Sequence, residues 1–433
     1  MQIIDSSEFD AYWNNAARPS NSADTENMVR VIIDEVRKDG DAAVRRFAAK
    51  FDKSSPEKLE VPKNIIIDAL RYLRRNEPEL AASLDLAAEH IRYFAEQQKK
   101  QFIDFECEVA EGVFAGQKVI PVQRAAVYAP AGRFPLISSV LMGVIPALAA
   151  GAEVFVVSPP LENGLPDTRI MAAAALAGSS RVFAVGGAQA VAAMAFGTES
   201  LPKVDMIAGP GNKYVATAKR LLFGEVGVDF IAGPTDVLII AGANANPDFI
   251  AVDMLAQAEH DPDARARALV PNRRIADAAA WAVERRLAAE PATETARDSL
   301  DAGGLIITYH SIDDAVRIAN IIAPEHLELQ SIGFLPGLVN FGALFMGSDA
   351  AEVLGDYSAG PNHTLPTSGS ARFSGGLSVR HFLKTVTTLR CNPLGKGYAE
   401  TVKAAEVIAC AEGLTAHAES AVLRLSSLAH QNL

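Results

Sequence analysis

From Ala125 onward, short apolar segments rich in β-branched residues alternate with alanine-rich segments of helical character. The apolar segments read AAVY, EVFVVSP, RVFAVG, VDMIAG, VLIIAG, ARALVP and GLIITYH in chain order. Apolar strands that are each followed by a helix predict a parallel sheet covered by helices on both faces. Because the pattern restarts after Asp229, we predict an α/β protein with two doubly wound, Rossmann-like domains and small helical terminal segments.

The length of 433 residues also favours two large domains, since one hydrophobic core rarely organises so long a chain. Helical periodicity at 28–50 and 65–100 predicts a scaffold of helices ahead of the sheets. The predicted division is an N-terminal helical segment at 1–20, a discontinuous first α/β domain at 21–128 with 236–370, a second α/β domain at 129–235, and a C-terminal helical segment at 371–433.

The composition excludes several classes of partner and location. A formal net charge of -12 without a cluster of Lys and Arg argues against a nucleic-acid partner. Three widely spaced cysteines fit a reducing compartment. Residues 1–10 lack the apolar core of a secretory signal, and prolines interrupt the uncharged stretch at 134–152, which we interpret as a buried helix. We therefore expect a cytoplasmic protein with no membrane partner.

Four turns that follow predicted strands are rich in glycine or proline. They read YAPAGR from Tyr128, GGAQA from Gly186, AGPGNKY from Ala208 and AGPTD from Ala232. Ligands of doubly wound sheets lie beyond the carboxyl ends of the strands, and sharp turns near helix N-termini suit anionic groups. None of the four matches G-x-G-x-x-G, so simple tight turns remain an alternative interpretation.

A set of dispersed polar residues could bind a metal ion. Gln257 and His260 are three residues apart on a predicted helix and so share one of its faces. Asp356 and His417 occupy predicted loop or helix-end positions. Together the four would form a mixed nitrogen and oxygen ligand set that suits zinc, with positions left open for a substrate. Taken alone, Gln257 and His260 would be ordinary solvated side chains.

A dipeptide, Glu325–His326, follows Pro324 at the predicted start of a helix. Neighbouring residues on a helix point to different sides, so the two would approach a substrate from different angles. Histidine accepts protons near neutral pH, and a carboxylate can orient or deprotonate water. The alternative is an exposed glutamate beside a partly buried histidine.

The motifs, taken together and in order, resemble the histidinol dehydrogenase family. They are GGAQAVAA, AGPGNKYV, AGPTDV, QAEH, APEHLE, GDYSAGPNHTLPT, ARFSGGLSV and EGLTAHA. With YAPAGR they span the chain from about Tyr128 to Glu419. Eight motifs in the same order are far more specific than any one of them.

The resemblance implies a role for each matching residue. It implies that zinc is bound by Gln257, His260, Asp356 and His417. It implies that Glu325 and His326 are the catalytic pair, and that NAD contacts Tyr128, Gln189 and Asn212. The implied substrate contacts are Thr235, Gln257, His260, His326, Asp356, Glu412 and His417.

The resemblance also implies the reaction and the assembly. The family oxidises one carbon twice, from alcohol through aldehyde to carboxylate, with each hydride passed to NAD. His326 would be the general base and Glu325 would activate water, while zinc positions the substrate. The family forms homodimers in which the C-terminal segment, with Glu412 and His417, reaches the site of the partner.

Departures from the family pattern leave the substrate open. This chain has Thr235 where the family usually has serine, and Asp261 and Ala131 where it usually has glycines. The stretch HFLKTVTTL is closer to paralogues that oxidise sulfonated propanediols. The alternatives are therefore the same chemistry on 2,3-dihydroxypropane-1-sulfonate, a zinc hydrolase without NAD, and a binding protein without catalysis. A basic side chain in the pocket would favour the sulfonate.

Overall fold

The structure is a computed structural model that describes residues 1–15, 23–131, 135–179, 181–231, 233–289 and 294–431. Parts of three predicted features lie outside these ranges, namely the end of the 1–20 segment, two residues of YAPAGR and Ala232 of AGPTD. The described residues form two compact units. The first comprises Met1–Gln97 with Val122–Phe382, and the second comprises Gln98–Pro121 with Leu383–Leu433.

The strands are numbered in chain order. They are β1 (Gln2–Asp5), β2 (Phe105–Ala110), β3 (Val113–Pro121), β4 (Arg124–Tyr128), β5 (Glu153–Ser158), β6 (Val182–Ala184), β7 (Met206–Ala208), β8 (Gly227–Val228), β9 (Asp236–Ala241), β10 (Arg265–Val270), β11 (Leu305–Thr308), β12 (His326–Gln330), β13 (Ala343–Met346) and β14 (Leu383–Cys391).

The α-helices are numbered in the same way. They are α1 (Phe9–Asn15), α2 (Ala23–Asp39), α3 (Asp41–Phe51), α4 (Lys63–Asn76), α5 (Pro78–Lys99), α6 (Ile137–Ala150), α7 (Thr168–Ala177), α8 (Gly187–Phe196), α9 (Lys213–Leu222), α10 (Pro247–Ala258), α11 (Arg273–Ala289), α12 (Glu294–Gly303), α13 (Ile312–Ile322), α14 (Glu352–Tyr357), α15 (Lys396–Ala411) and α16 (Thr415–Gln431).

Two parallel sheets form the centre of the first unit. One has the strand order β6-β5-β4-β7-β8, and the other has the order β1-β11-β10-β9-β12-β13. Without β1, both sheets follow the same doubly wound order, in which the first strand lies between the second and the fourth. Strands β4, β5 and β9, in the middle of these sheets, are largely apolar and buried because helices cover both faces. The predicted α/β fold with two Rossmann-like sheets is confirmed.

The second unit combines a small sheet with two helices. Its strands pair antiparallel in the order β14-β3-β2, and α15 packs against α16. A small apolar cluster around Val113, Tyr398 and Val402 lies between sheet and helices. The sequence predicted only helices at 371–433, whereas β14 is a nine-residue strand there.

Two further boundaries differ from the predicted division. Residues 2–5 form β1, which pairs with β11, instead of belonging to a helical segment. Strand β4 is central to the five-stranded sheet although the predicted second domain begins only at residue 129. In both cases tertiary pairing decides the assignment, because a four- or five-residue apolar run has no periodicity of its own.

The uncharged stretch at 134–152 contains α6, whose residues 139–147 are buried. The prediction of a buried helix is confirmed, and Pro146 is accommodated within it. Across the described residues, none of the helices is both long and apolar enough to cross a membrane. The predicted cytoplasmic location stays a prediction.

Close contact between α6 and β4 generates a stability prediction. A Cβ added at Gly143 would lie 2.6 Å from the side chain of Val127, which is fully buried. We expect Gly143→Ala to lower the free energy of unfolding by about 1–3 kcal/mol, because a packed core resists added methyl groups. Calorimetric melting tests this. Gly333→Ala is the control, since nothing lies within 4 Å of its added Cβ; equal melting temperatures for the two variants would contradict the prediction.

Candidate active site

A cavity of about 240 Å³ in the first unit brings together five of the residues selected from the sequence. Its lining includes Thr235, His260, Glu325, His326 and Asp356. Thr235 precedes β9, the Glu325–His326 pair stands at the start of β12, and Asp356 lies on α14. The cavity therefore lies at the amino ends of two neighbouring strands of the six-stranded sheet, facing the turn that follows β7.

The pairing of β9 with β12 fixes the carboxylate of Glu325. The backbone N–H of Asp236 donates to Glu325 Oε2 at 3.0 Å, and the backbone N–H of Glu325 donates to Asp236 Oδ1 at 3.1 Å. Asp236 in turn accepts from Arg267 Nη1 at 3.4 Å. Each acidic side chain thus bonds the main chain of the other, so neither can rotate without losing a hydrogen bond.

The hydroxyl of Thr235 joins Glu325 to Gln257. Its Oγ1 lies 2.5 Å from Glu325 Oε2 and 2.6 Å from the Gln257 amide. The amide is satisfied when its nitrogen donates to Glu352 Oε1 at 2.9 Å and its oxygen accepts from the Asp236 backbone N–H at 2.9 Å. We adopt this orientation because the reverse one points the amide oxygen at a carboxylate.

His326 lies among three acidic side chains. Its Nδ1 is 3.8 Å from Glu352 and 3.9 Å from Glu325, and its Nε2 is 3.4 Å from Asp356. Burial lowers the pKa of His326, but the carboxylates outweigh it and hold this pKa well above its usual value. Both ring nitrogens are buried without a hydrogen-bond partner, so the ring can donate a proton when it is charged and accept one when it is neutral.

The pKa of Glu325 lies in the range that suits proton transfer near neutral pH. Burial raises its pKa from 4.5 to about 7, against the opposing effects of His326 and of the Thr235 hydroxyl. A carboxyl group with such a pKa is present in both forms at physiological pH, which suits general acid and base chemistry. The pair therefore places two groups that can exchange protons in one buried cavity.

Part of the predicted metal-binding set surrounds the same cavity. His260 and Asp356 line it, and Gln257 reaches it through Thr235. Asp356 Oδ1 is buried and has no hydrogen-bond partner, although it lies 3.4 Å from His326 Nε2, so this oxygen could bind a ligand. Burial raises the pKa of Asp356, but His326 and other histidines outweigh it and lower this pKa overall, so the group is charged.

Asp356 is held in place through its own backbone. His363 Nδ1 is 2.7 Å from the Asp356 carbonyl oxygen, and its Nε2 is 3.2 Å from Ser139 Oγ. Burial lowers the pKa of His363, which therefore stays neutral. His363 lines the cavity, and it connects the end of α14 to the start of α6.

The structure does not assemble the whole predicted ligand set within the first unit. His417 lies in the first turn of α16 and Glu412 just after α15, both exposed and both in the second unit. Among the described residues, no three His, Cys, Asp or Glu side chains converge in a metal-binding group. The zinc site consequently remains a prediction.

A second cavity, of about 510 Å³, contains all three residues that the resemblance implies for NAD. Tyr128 ends β4 and its hydroxyl accepts from the Gly187 backbone N–H at 3.1 Å. Asn212 caps the N-terminus of α9, and Gln189 lies in the first turn of α8. The cavity lies at the carboxyl ends of the five-stranded sheet, which is where ligands of doubly wound sheets bind.

Three local predictions are wrong. Glu325 and His326 do not begin a helix, because α13 ends at Ile322 and His326 opens the buried strand β12. His260 lies two residues beyond the end of α10, in a turn. The AGPTD turn was expected to follow a strand, but it leads into β9. Thr235 in this turn therefore lines the first cavity from the amino end of a strand.

Sequence reasoning also missed polar residues that line the first cavity or lie next to it on β12. On β12 the polar residues His326, Glu328 and Gln330 alternate with leucines, a period-two signal that predicts a strand with one polar face. Lys219 and Asp229 form a buried ion pair, and Asp229 Oδ2 accepts from the Gly209 backbone N–H at 2.7 Å. No signal in the sequence links these two positions across the turn that they hold.

A buried acidic pair behind His326 generates a prediction of pH dependence. Gln330 Nε2 donates to Asp253 at 2.6 Å and to Glu328 at 3.0 Å. Burial, together with Glu328, raises the pKa of Asp253 from 3.8 to about 8. Between these values the folded state holds a proton that the unfolded state releases, so stability falls as pH rises.

We expect Asp253→Asn to remove this dependence. The variant should gain melting temperature relative to the unsubstituted chain as the pH increases from 5 to 9, because Asn has no proton to lose. Thermal melting at each pH measures the difference. A constant difference at every pH would show that Asp253 is ionised throughout.

Comparisons with known proteins agree with this geometry. The sequence profile of the histidinol dehydrogenase family matches residues 16–425. Histidinol dehydrogenase from Methylococcus capsulatus is 43% identical over 414 residues, covering 94% of this chain and 93% of that protein. The enzyme of the same name from Aquifex aeolicus is 45% identical, with 92% of each chain covered.

A solved structure supports the same assignment. The crystal structure of histidinol dehydrogenase from Elizabethkingia anophelis superposes with a TM-score of 0.90 and 34% identity, covering 99% of this chain and 98% of that one. Profile, relatives and architecture agree over nearly the full length. The chain therefore belongs to the histidinol dehydrogenase family.

Proposed function

We propose that this protein oxidises histidinol to histidine through the aldehyde, with NAD as hydride acceptor and zinc as bound metal. The observation that carries the proposal is the convergence of Thr235, His260, Glu325, His326 and Asp356 on one cavity. These residues are distant in sequence, and the fold alone does not require them to meet. The names of the relatives specify the substrate.

Zinc fits the donor atoms that are present. His260 and Asp356 would hold it from one chain, and Gln257 would join them if its amide oxygen exchanged the hydrogen bond from the Asp236 backbone N–H for the metal. His417 would add a second nitrogen ligand, giving the mixed set that zinc accepts. When bound, the metal supplies a positive charge that fixes the imidazole and amine of histidinol. The unpartnered Asp356 Oδ1 is the observation that supports this assignment.

The chain's own residues account for the proton transfers. In its neutral form His326, whose two ring nitrogens have no hydrogen-bond partner, accepts the hydroxyl proton of the alcohol. After releasing that proton it accepts the hydroxyl proton of the aldehyde hydrate. The positive charge of a bound zinc ion would oppose the carboxylates that otherwise keep His326 protonated. Glu325, whose pKa is about 7, takes a proton from the water that forms the hydrate. Each oxidation passes a hydride to NAD, and the protein contributes placement.

The sulfonated propanediol is not favoured as substrate. Among the described lining residues of the first cavity, Lys219 is the one Lys or Arg, and its charge is neutralised by Asp229. Asp261 accepts from the Asp263 backbone N–H at 2.9 Å and stabilises a local turn. The stretch HFLKTVTTL lies largely in β14 of the second unit. None of these features supplies a cation for a sulfonate.

We further propose a homodimer in which Glu412 and His417 complete the site of the partner. Both residues are exposed and belong to the second unit. Helices α15 and α16 also expose large apolar side chains, among them Val407 and Ile408, each more than half accessible. Neighbouring exposed apolar side chains are typical of a surface that a partner covers.

The proposed reaction is tested by counting NADH. With zinc and NAD, the protein should produce two NADH per histidinol and none above background with the sulfonated diol. His326→Gln should lower kcat about 10²–10⁴-fold, the usual contribution of a general base. His310→Gln is the control, because His310 is exposed and pairs with Asp5. No NADH from the unsubstituted protein would rule out this reaction.

The two catalytic roles are separable by choice of substrate. Glu325→Gln should slow oxidation of the aldehyde more than oxidation of histidinol to the aldehyde, because only the former consumes water. Single-turnover NADH formation with each substrate measures both steps. Equal slowing of the two steps would argue that Glu325 orients His326 and does not activate water.

The shared site is tested by complementation between inactive variants. His326→Gln and His417→Asn dimers should each be nearly inactive. A hybrid dimer of the two restores one intact site, so unfolding and refolding an equimolar mixture should give about a quarter of full activity. An inactive mixture that still contains hybrid dimers would place His417 in the site of its own chain.

A further inference from the structure

The second cavity lacks an acidic residue where dinucleotide-binding sheets usually carry one. In such sheets an Asp or Glu about 20 residues after the first strand-to-helix turn binds the ribose hydroxyls of NAD. Here the second strand of the sheet, β5, ends at Ser158 and continues into Pro159 and Pro160. Neither proline can accept a hydrogen bond from a ribose hydroxyl through its side chain.

Asp52 brings a carboxylate to this place from outside the sheet. It directly follows α3, and its Oδ2 accepts from the Gly186 backbone N–H at 3.1 Å. A Cβ added at Gly186 would lie 2.7 Å from both Asp52 Oδ1 and Pro159 Cγ. The carboxylate thus lies against the residue that follows β5, at the carboxyl ends of β5 and β6, and it lines the cavity.

The same carboxylate orients a residue implied for NAD binding. Gln189 Nε2 donates to Asp52 Oδ2 at 3.4 Å, which fixes the direction of the Gln189 amide. Both hydrogen bonds of Asp52 therefore use Oδ2. Its Oδ1 accepts neither of them and is the oxygen left for a ligand.

The charges around Asp52 disfavour an additional phosphate. Burial raises the pKa of Asp52 to about 6, so the group is ionised at pH 7.5. Among the described lining residues, Lys53 is the one basic side chain, and its Nζ lies 3.8 Å from Glu162. An anionic group placed beside an ionised carboxylate in a partly buried cavity is repelled.

We propose that Asp52 selects NAD over NADP in this protein, by accepting a ribose hydroxyl of the adenosine and repelling a 2′-phosphate at the same position. The inference rests on the proposed use of a nicotinamide dinucleotide. Asp52 is a specificity-determining residue here, and through Gln189 it is also a positioning residue. It takes no part in the proton transfers of the first cavity.

Direct binding tests the proposal independently of turnover. Calorimetric titration of the zinc-loaded protein with NADH and with NADPH gives the ratio of their dissociation constants. We expect the unsubstituted protein to prefer NADH, and Asp52→Asn to lower that preference at least about tenfold, which corresponds to about 1.4 kcal/mol. In steady state the KM for NAD should rise while kcat with histidinol stays within about twofold.

Asp167→Asn is the matched control. Asp167 caps the N-terminus of α7, the helix that follows β5 in the chain. The Asp167 side chain does not line the second cavity. Asn caps helices as well as Asp does, so the variant loses one carboxylate without losing the cap. Its preference between the dinucleotides should equal that of the unsubstituted protein. Asp52→Ser provides a second charge-removing variant if Asp52→Asn does not fold, as judged by thermal melting.

The outcomes separate this inference from the proposed function. If Asp52→Asn or Asp52→Ser folds and keeps the original preference for NADH, the role of Asp52 is overturned. If Asp167→Asn also loses the preference for NADH over NADPH, that preference depends on the total charge of the protein and not on Asp52. The inference is then overturned as well. If the unsubstituted protein forms no NADH from histidinol but binds NADH with the expected preference, the proposed reaction fails while the role of Asp52 stands.

Discussion

The parallel pairing of β9 with β12 is the constraint on which the first cavity depends. This register sets Asp236 beside Glu325, and their reciprocal backbone hydrogen bonds fix the direction of the Glu325 carboxylate. A shift of one residue would turn Glu325, His326 and Glu328 to the opposite faces of the strand. The sheet register therefore determines the geometry of the candidate site, and the apolar core that maintains the register also keeps these side chains in place.

The two parallel sheets have the same strand order, but the cavities lie at the carboxyl ends of one sheet and at the amino ends of the other. The five-stranded sheet presents its carboxyl ends to the cavity that contains Tyr128, Gln189 and Asn212. The six-stranded sheet presents the amino ends of β9 and β12 to the other cavity, which the Gly209–Gly211 turn after β7 also lines. Both cavities thus include residues at the carboxyl edge of the five-stranded sheet.

The sequence predicted the fold class, and that certain distant residues lie together, better than it predicted the local structure of those residues. The apolar segments and the ordered motifs identify two doubly wound sheets and five residues of one cavity. The local sequence indicated the wrong secondary structure where pairing between strands determines it. Glu325 and His326 follow Pro324, which suggested the start of a helix, but they lie at the start of strand β12. Asp52 could not be predicted, because nothing near it in sequence indicates contact with Gly186, which lies 134 residues away.

The electrostatics of the first cavity bear on which alcohol it accepts. Glu325, Glu352 and Asp356 surround His326, and the buried Lys219 is already neutralised by Asp229. Buried carboxylates without enough positive charge are costly, so binding a cation there is favourable and binding an anion is not. An amino alcohol with an imidazole brings a positive charge and a ligand for zinc, whereas a sulfonate brings a negative charge. The carboxylates that raise the pKa of His326 would therefore also favour a cationic substrate over an anionic one.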